Sequence, residues 1–190
     1  MTPEPGARSR VHAPRAPVEL RPAWRRADPK IERDAELFWR NERILPPRAD
    51  VAARLSYLCV AGYDGDRLIA LSEARITLID FLQVKLAMLR IAVARDVRQH
   101  RLGTWLLTES RELLEAWSLE NPAEEVMGMG TITQTAAYDG RGRARGYLRD
   151  SHLAFVGFTA NGEHMRVAWF DHGTIPARRQ NHFPLLGDHD

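Results

Sequence analysis

Cysteine is almost missing from this chain: Cys59 stands alone among 190 residues. One thiol excludes an internal disulfide and a cysteine-built zinc centre. The seven histidines are scattered and no His-Glu-x-x-His occurs, so no metal is expected. No apolar run approaches the ~20 residues that cross a membrane, and the first residues lack the apolar core of a secretory leader. These absences predict a cytoplasmic protein. Neither charge sign dominates: 27 Lys+Arg face 25 Asp+Glu, for a net +2. That balance does not by itself indicate a nucleic-acid binder, and neither a helix-turn-helix nor an aromatic RNA-binding motif is legible. No internal repeat occurs.

What is present suits one folded domain, with 44% hydrophobic and 27% charged residues. Residues 1–17 carry four prolines and three arginines and predict a disordered arm. The packed domain is expected over 18–170, and 171–190 reads as an irregular tail. Arg141, Arg143, Arg145 and Arg149 form a basic cluster, read as a solvated loop. Cys59 lies in the apolar run 57–61, where a buried, inert thiol is the favoured reading.

Within 18–170 the pattern alternates between period 2 and period 3.6. Val18–Pro22 reads as a strand. Asp28-Pro29 opens a helix with an N-cap and a proline at the first helical position, and Asp50 caps a short second helix through Leu55. Strands are expected at 57–63, 67–79, 85–94, 126–135, 155–160 and 164–170. Asp64-Gly65-Asp66 and Asn161-Gly162 mark hairpins. Between the fourth and fifth strands an amphipathic helix begins near Gly103 and ends at Asn121-Pro122. Its apolar face is read as Leu102, Trp105, Leu106, Leu113, Leu114 and Trp117. Tyr147–Ala154 reads as another helix. The fold class is therefore mixed α/β, with about seven mainly antiparallel strands and flanking helices.

The most informative stretch joins an apolar strand to that long helix through Arg98-Gln99-His100-Arg101-Leu102-Gly103-Thr104. A basic turn before a helix N-terminus aims free N–H groups and a partial positive charge at one point, which suits a phosphate. This loop resembles motif A of the GCN5-related N-acetyltransferases (the GNAT superfamily), whose pattern is Arg/Gln-x-x-Gly-x-Gly/Ala. Arg98 matches the first position and Gly103 the last, while Arg101 stands where the family has glycine. A side chain at 101 is expected to require negative φ. The element order and the late Gly157-Phe158 pair support the likeness across roughly 18–170.

The resemblance implies a splayed cleft between the fourth and fifth strands and acetyl-CoA as co-substrate. Its pyrophosphate would lie on Arg98, Gln99, His100, Arg101, Leu102, Gly103 and Thr104, with the Thr104 N–H and hydroxyl aimed at the anion. The backbone of Ile91 and Val93 would hold the pantetheine arm by strand addition. Acyl transfer to an amine asks for a base, an oxyanion donor and a proton for the thiolate. Glu73 is the first candidate base, its plainer role being a solvent-facing strand residue. The family's acidic tyrosine falls at Leu153, so Tyr147 or His152 would have to replace it. Trp39, Thr133 and Gln134 are candidates for the acceptor pocket. The expected activity is acetyl transfer to a small-molecule or peptide amine, with a homodimer compatible. A non-catalytic acyl-CoA sensor of the same fold is the alternative.

Overall fold

The structure is a computed structural model that describes residues 18–46, 48–98, 101–133, 146–148 and 151–174. The expected arm at 1–17, the Arg141–Arg149 cluster and the tail beyond residue 174 lie outside the described residues. The elements run β1 (Glu19–Pro22), α1 (Pro29–Asn41), α2 (Val51–Leu55), β2 (Leu58–Asp64), β3 (Arg67–Ile79), β4 (Val84–Val93), α3 (Leu102–Glu120), β5 (Val126–Thr133), β6 (Tyr147–Leu148), β7 (Leu153–Phe158) and β8 (His164–Trp169).

One eight-stranded sheet has the order β1-β2-β3-β4-β5-β8-β7-β6. Every pairing is antiparallel except that of β4 with β5. Those two strands are joined through α3, as a parallel pair requires a crossover. The fold class is as expected, with one strand more than the seven read from the pattern. The additional strand is β6, in the segment read as a helix. His152 sits at φ 55°, which interrupts a right-handed helix. Tyr147 and Leu148 instead pair with Ala154 and Leu153, and Leu153 is buried.

Local chemistry accounts for the helix starts. The Asp28 carboxylate accepts from the Lys30 and Ile31 N–H groups at 2.9 and 3.1 Å, with Pro29 as first helical residue. Asp50 accepts from Ala53 N–H at 3.0 Å. Gly65 at φ 60° closes the β2–β3 hairpin, a conformation that glycine adopts without steric cost.

The sheet has two covered faces. On one, α3 packs Leu106, Leu107 and Leu114 against Ala70, Ala74, Ala87 and Leu89. A buried Ser72–Ser110 hydrogen bond of 2.7 Å joins β3 to α3 there. On the other, α1 packs Phe38 and Trp39 over Ile69 and Leu71. The buried face of α3 is Leu102, Leu106, Leu107, Ser110, Leu114 and Ser118. Trp105, read as part of that face, is instead half exposed. The i, i+4 ladder through residues 102, 106, 110, 114 and 118 hides two serines that apolar periodicity does not register. Cys59 is buried, and that burial pushes its thiol up to about 12 against hydrogen bonds from Ser110 and Ser72 that lower it. Among the described residues no helix is long and apolar enough to cross a membrane. No group of three or more His, Cys, Asp or Glu among them is arranged to hold a metal ion.

Candidate functional site

The parallel β4–β5 pairing runs from Lys85↔Val126 to Leu89↔Thr131 and stops. Beyond that row β4 stays with β3 as far as Val93↔Ala70, and β5 stays with β8 as far as Thr133↔His164. The two central strands therefore part, and the sheet holds a fork.

Backbone alternation decides which groups face the opening. Ala94 N–H donates to the Ile69 carbonyl at 2.8 Å. In an antiparallel ladder successive residues turn their polar groups to opposite edges. Arg90 and Ala92 thus serve β3, and Ile91 and Val93 present N–H and C=O to the fork. The Val93 carbonyl accepts from Arg98 Nε at 3.2 Å, which folds Arg98 back over the fork's upper end. This is an edge to which an extended ligand can add as a strand.

The loop above it is anchored from both sides. Arg67 pairs with Asp96 through contacts of 2.8 and 2.9 Å, and Val97 and Leu102 are buried. Arg101 is the residue before the helix and adopts φ 55°, ψ 10°. The expectation of negative φ there is overturned: the arginine takes the left-handed conformation, which glycine adopts at least cost. Helix geometry leaves the Leu102 and Gly103 N–H groups without an intrahelical acceptor. Thr104 N–H is not directed outward as expected, because it donates to the Arg101 carbonyl at 3.0 Å. A Cβ built on Gly103 meets nothing within 4 Å, so the approach to the helix end is open. No acidic residue occupies the first turn of α3. Open N–H groups, the helix dipole and the nearby Arg98 and Arg101 fit an anionic group such as a pyrophosphate. Gln99 and His100 lie outside the described residues.

The residues expected to carry chemistry are placed less simply. Glu73 is buried, not solvent-facing, and both its oxygens accept from Arg54, at 2.5 and 2.9 Å. Its carboxylate is committed to a guanidinium and is not turned to a substrate amine. Trp39 is fully buried beneath that pair, with the Arg54 guanidinium 4.6 Å from its ring centroid. It supports Arg54 and has no open face. Tyr147 and His152 are brought together, Oη to Nδ1 at 3.2 Å. Tyr147 stands on β6, however, three strand spacings from β5, or about 14 Å, which exceeds one side chain's reach to the fork. His152 lies between β6 and β7, beside a strand two spacings from β5. Thr133 ends β5 opposite His164, and Gln134 is outside the described residues.

Two residues of the fork escaped the sequence reading. Arg54 comes from the five-residue α2, where no periodicity marks it. Arg90 is directly opposite Glu73 and exposed. It did carry a signal, as the one charge between Leu86 and Ala94 in an otherwise apolar strand.

Compared with solved structures, this is the fold of the GNAT acetyltransferases. A GNAT-family acetyltransferase from Streptococcus pneumoniae superposes with TM-score 0.55 at 12% identity, over 80% of this chain and 99% of that one. YncA from Salmonella typhimurium, solved with its cofactor acetyl-CoA, superposes with TM-score 0.51 at 12% identity, over 85% and 98%. A bacterial toxin gives TM-score 0.51 at 16% identity, over 82% and 92%. No protein-family profile and no curated protein matches the sequence.

Proposed function

We propose that this chain is a GNAT-superfamily member that binds acetyl-CoA in the β4–β5 fork and transfers the acetyl group to an amine in a ternary complex. The observation that carries this reading is the coincidence of two features at one place. The pairing of β4 and β5 ends at Leu89↔Thr131, and the open N-terminus of α3 lies beyond the same end of β4. The backbone of Ile91 and the N–H of Val93, whose carbonyl is taken by Arg98, hold the pantetheine amides. The Leu102 and Gly103 N–H groups, with the Arg98 and Arg101 side chains, hold the pyrophosphate. In the reaction the amine nitrogen attacks the thioester carbonyl, a C–N bond forms and the C–S bond breaks. The amine's proton passes to solvent and the thiolate leaves as CoA, taking a proton from water. Alignment of the two reactants supplies much of the rate.

Glu73 serves this reaction as a positioning residue for Arg54 and not as its base, since both oxygens are engaged. Tyr147 is on β6, three strands from β5, and water, not a side chain, is the proton source assigned to the thiolate. The lack of an assigned base and acid supports a second reading, a non-catalytic acyl-CoA sensor of this fold. One experiment separates the two. Acetyl-CoA and free CoA are titrated in a thermal-shift assay, and release of the CoA thiol is then followed with a panel of amines. Stabilisation with amine-dependent thiol release supports the transferase. Stabilisation with no release across the panel supports the sensor. No stabilisation by either CoA species overturns both.

A further inference from the structure

The side of the fork facing α1 and α2 has an uneven charge. Even-numbered residues of β3 face α3, as Ser72 does through Ser110, so Glu73 and Arg75 face the other way. Arg90 shares that face because it is the Cα partner of Glu73. Arg54 reaches the same place from α2. Arg75 lies over the Tyr57 ring at 5.8 Å on the β2 side, so two guanidiniums stand with one carboxylate, and the carboxylate is bidentate to Arg54.

Arg90 is left with no hydrogen bond or ion pair among the described residues and is exposed. Its strand neighbours Leu86, Ala87 and Leu89 are buried, so Arg90 is the one exposed charge in a buried run. It is also the first β4 residue past the last row paired with β5. The facing lip is apolar. Ile132 is the Cα partner of Met165, which packs with Leu86, and Ile132 is 43% exposed. A simple ammonium gains nothing beside Arg90, because the one nearby carboxylate is taken by Arg54. An amine that brings its own anion does.

We propose that the acceptor is an amine that also carries a carboxylate, held by Arg90 with its apolar body against Ile132. This rests on the fork's being an acyl-CoA site. Arg90 offers a planar set of donors that matches a carboxylate bidentately. Arg54 is held by Glu73 and Trp39, which leaves Arg90 to meet the ligand.

The test uses the full chain and paired probes that differ only in charge: leucine with leucinamide, and the dipeptide amides Met-Asp-NH2 with Met-Asn-NH2. The first pair reports a free amino acid and the second an acidic peptide. Acetyl-CoA binding is measured first by calorimetry, and its failure defeats the acyl-CoA reading and this inference with it. With acetyl-CoA binding established, each probe is titrated into protein saturated with CoA, and thiol release is followed in parallel with acetyl-CoA. The expected result is a preference of about tenfold or more for the carboxylate member of at least one pair. In Arg90→Gln that preference collapses toward unity while acetyl-CoA affinity is retained. Arg90 is exposed and makes no side-chain hydrogen bond or ion pair among the described residues, so the variant is expected to keep its melting temperature. Equal binding within both pairs, no binding by either carboxylate probe, or a preference that survives Arg90→Gln overturns the inference.

Discussion

The left-handed backbone at Arg101 can be tested without disturbing the rest of the loop. An L-residue in that region pays roughly 1–2 kcal/mol for the approach of its Cβ to the backbone, and Arg101 sits there at φ 55°. Glycine avoids that term but loses about 0.4–1 kcal/mol through the greater freedom of its unfolded chain. The measurement compares Arg101→Gly with Arg101→Ala. Both remove the guanidinium and everything it touches, so their difference isolates the backbone. Arg101→Gly is expected to be more stable than Arg101→Ala by roughly 1 kcal/mol or slightly less, a difference of about 2–4 °C in Tm for a domain of this size. Urea unfolding gives the free energy, provided the two m-values agree. The same pair reports on the proposed phosphate site. Both variants lose the guanidinium, so both should bind acetyl-CoA more weakly than the parent and with a shallower salt dependence. Equal stability of the two variants, or greater stability of the alanine, would refute the left-handed conformation.

Other expectations follow from packing and charge. Glu73→Gln leaves Arg54 half-paired at the front of the fork and should cost about 2–3 kcal/mol in urea unfolding, below the 3–5 typical of a fully buried pair because Arg54 keeps 15% exposure; unchanged stability would show that the pair is not formed. Gly128→Ala places a Cβ 2.7 Å from the Ala168 carbonyl oxygen, whereas Gly130→Ala meets the Met88 sulfur at 2.5 Å. Backbone must move for the first and a flexible thioether for the second, so Gly128→Ala should be the more destabilising, by about 1–3 kcal/mol. Cys59 has a folded value near 12 owing chiefly to burial, above the ~8.5 of an unfolded thiol. Its contribution is therefore fully present below pH 8.5 and is lost as pH rises toward 12, at up to about 1.4 kcal/mol per unit. Cys59→Ala should flatten that decline relative to the parent, and identical alkaline profiles would count against it.

Most of the fold was legible because its signals are local. Asp28-Pro29 and Asp50 start helices through their own carboxylates, and Asp64-Gly65-Asp66 turns a hairpin within four residues. The bounds of β3 fall where alternation placed them. The errors share a different origin. Tyr147–Leu148 looks helical until Leu153 finds a place in the core and His152 reverses the chain. Glu73 looks like an exposed strand residue because nothing nearby in sequence reveals Arg54, nineteen positions earlier. The Thr104 N–H turns inward because it donates to Arg101 in a 3-10 bond, which no pattern of side chains reveals. Long-range pairing decides each of these, and a period does not contain it.

Under the proposed function, the fork would separate binding from selection. A parallel pair within an antiparallel sheet needs a crossover, and α3 supplies it. That requirement alone sets a helix N-terminus beyond the end of β4, where the pairing with β5 has already ceased. An anion cradle and an open strand edge therefore come with the topology and ask little of particular side chains. This is why Arg101 can stand in for a glycine with the fold intact. The face toward α1 and α2 is under no such constraint. Its charged groups, Arg54, Glu73 and Arg90, come from a short helix, a long strand and the end of a buried run. If topology supplies the donor site and side chains select the acceptor, substitutions should divide along the same line. Arg98→Ala should weaken acetyl-CoA binding several-fold and alter every acceptor's kcat/KM by the same factor. Arg90→Gln should change the ranking of acceptors instead. A uniform loss from both substitutions, measured by acetyl-CoA titration and an acceptor panel, would mean that the two faces form one site.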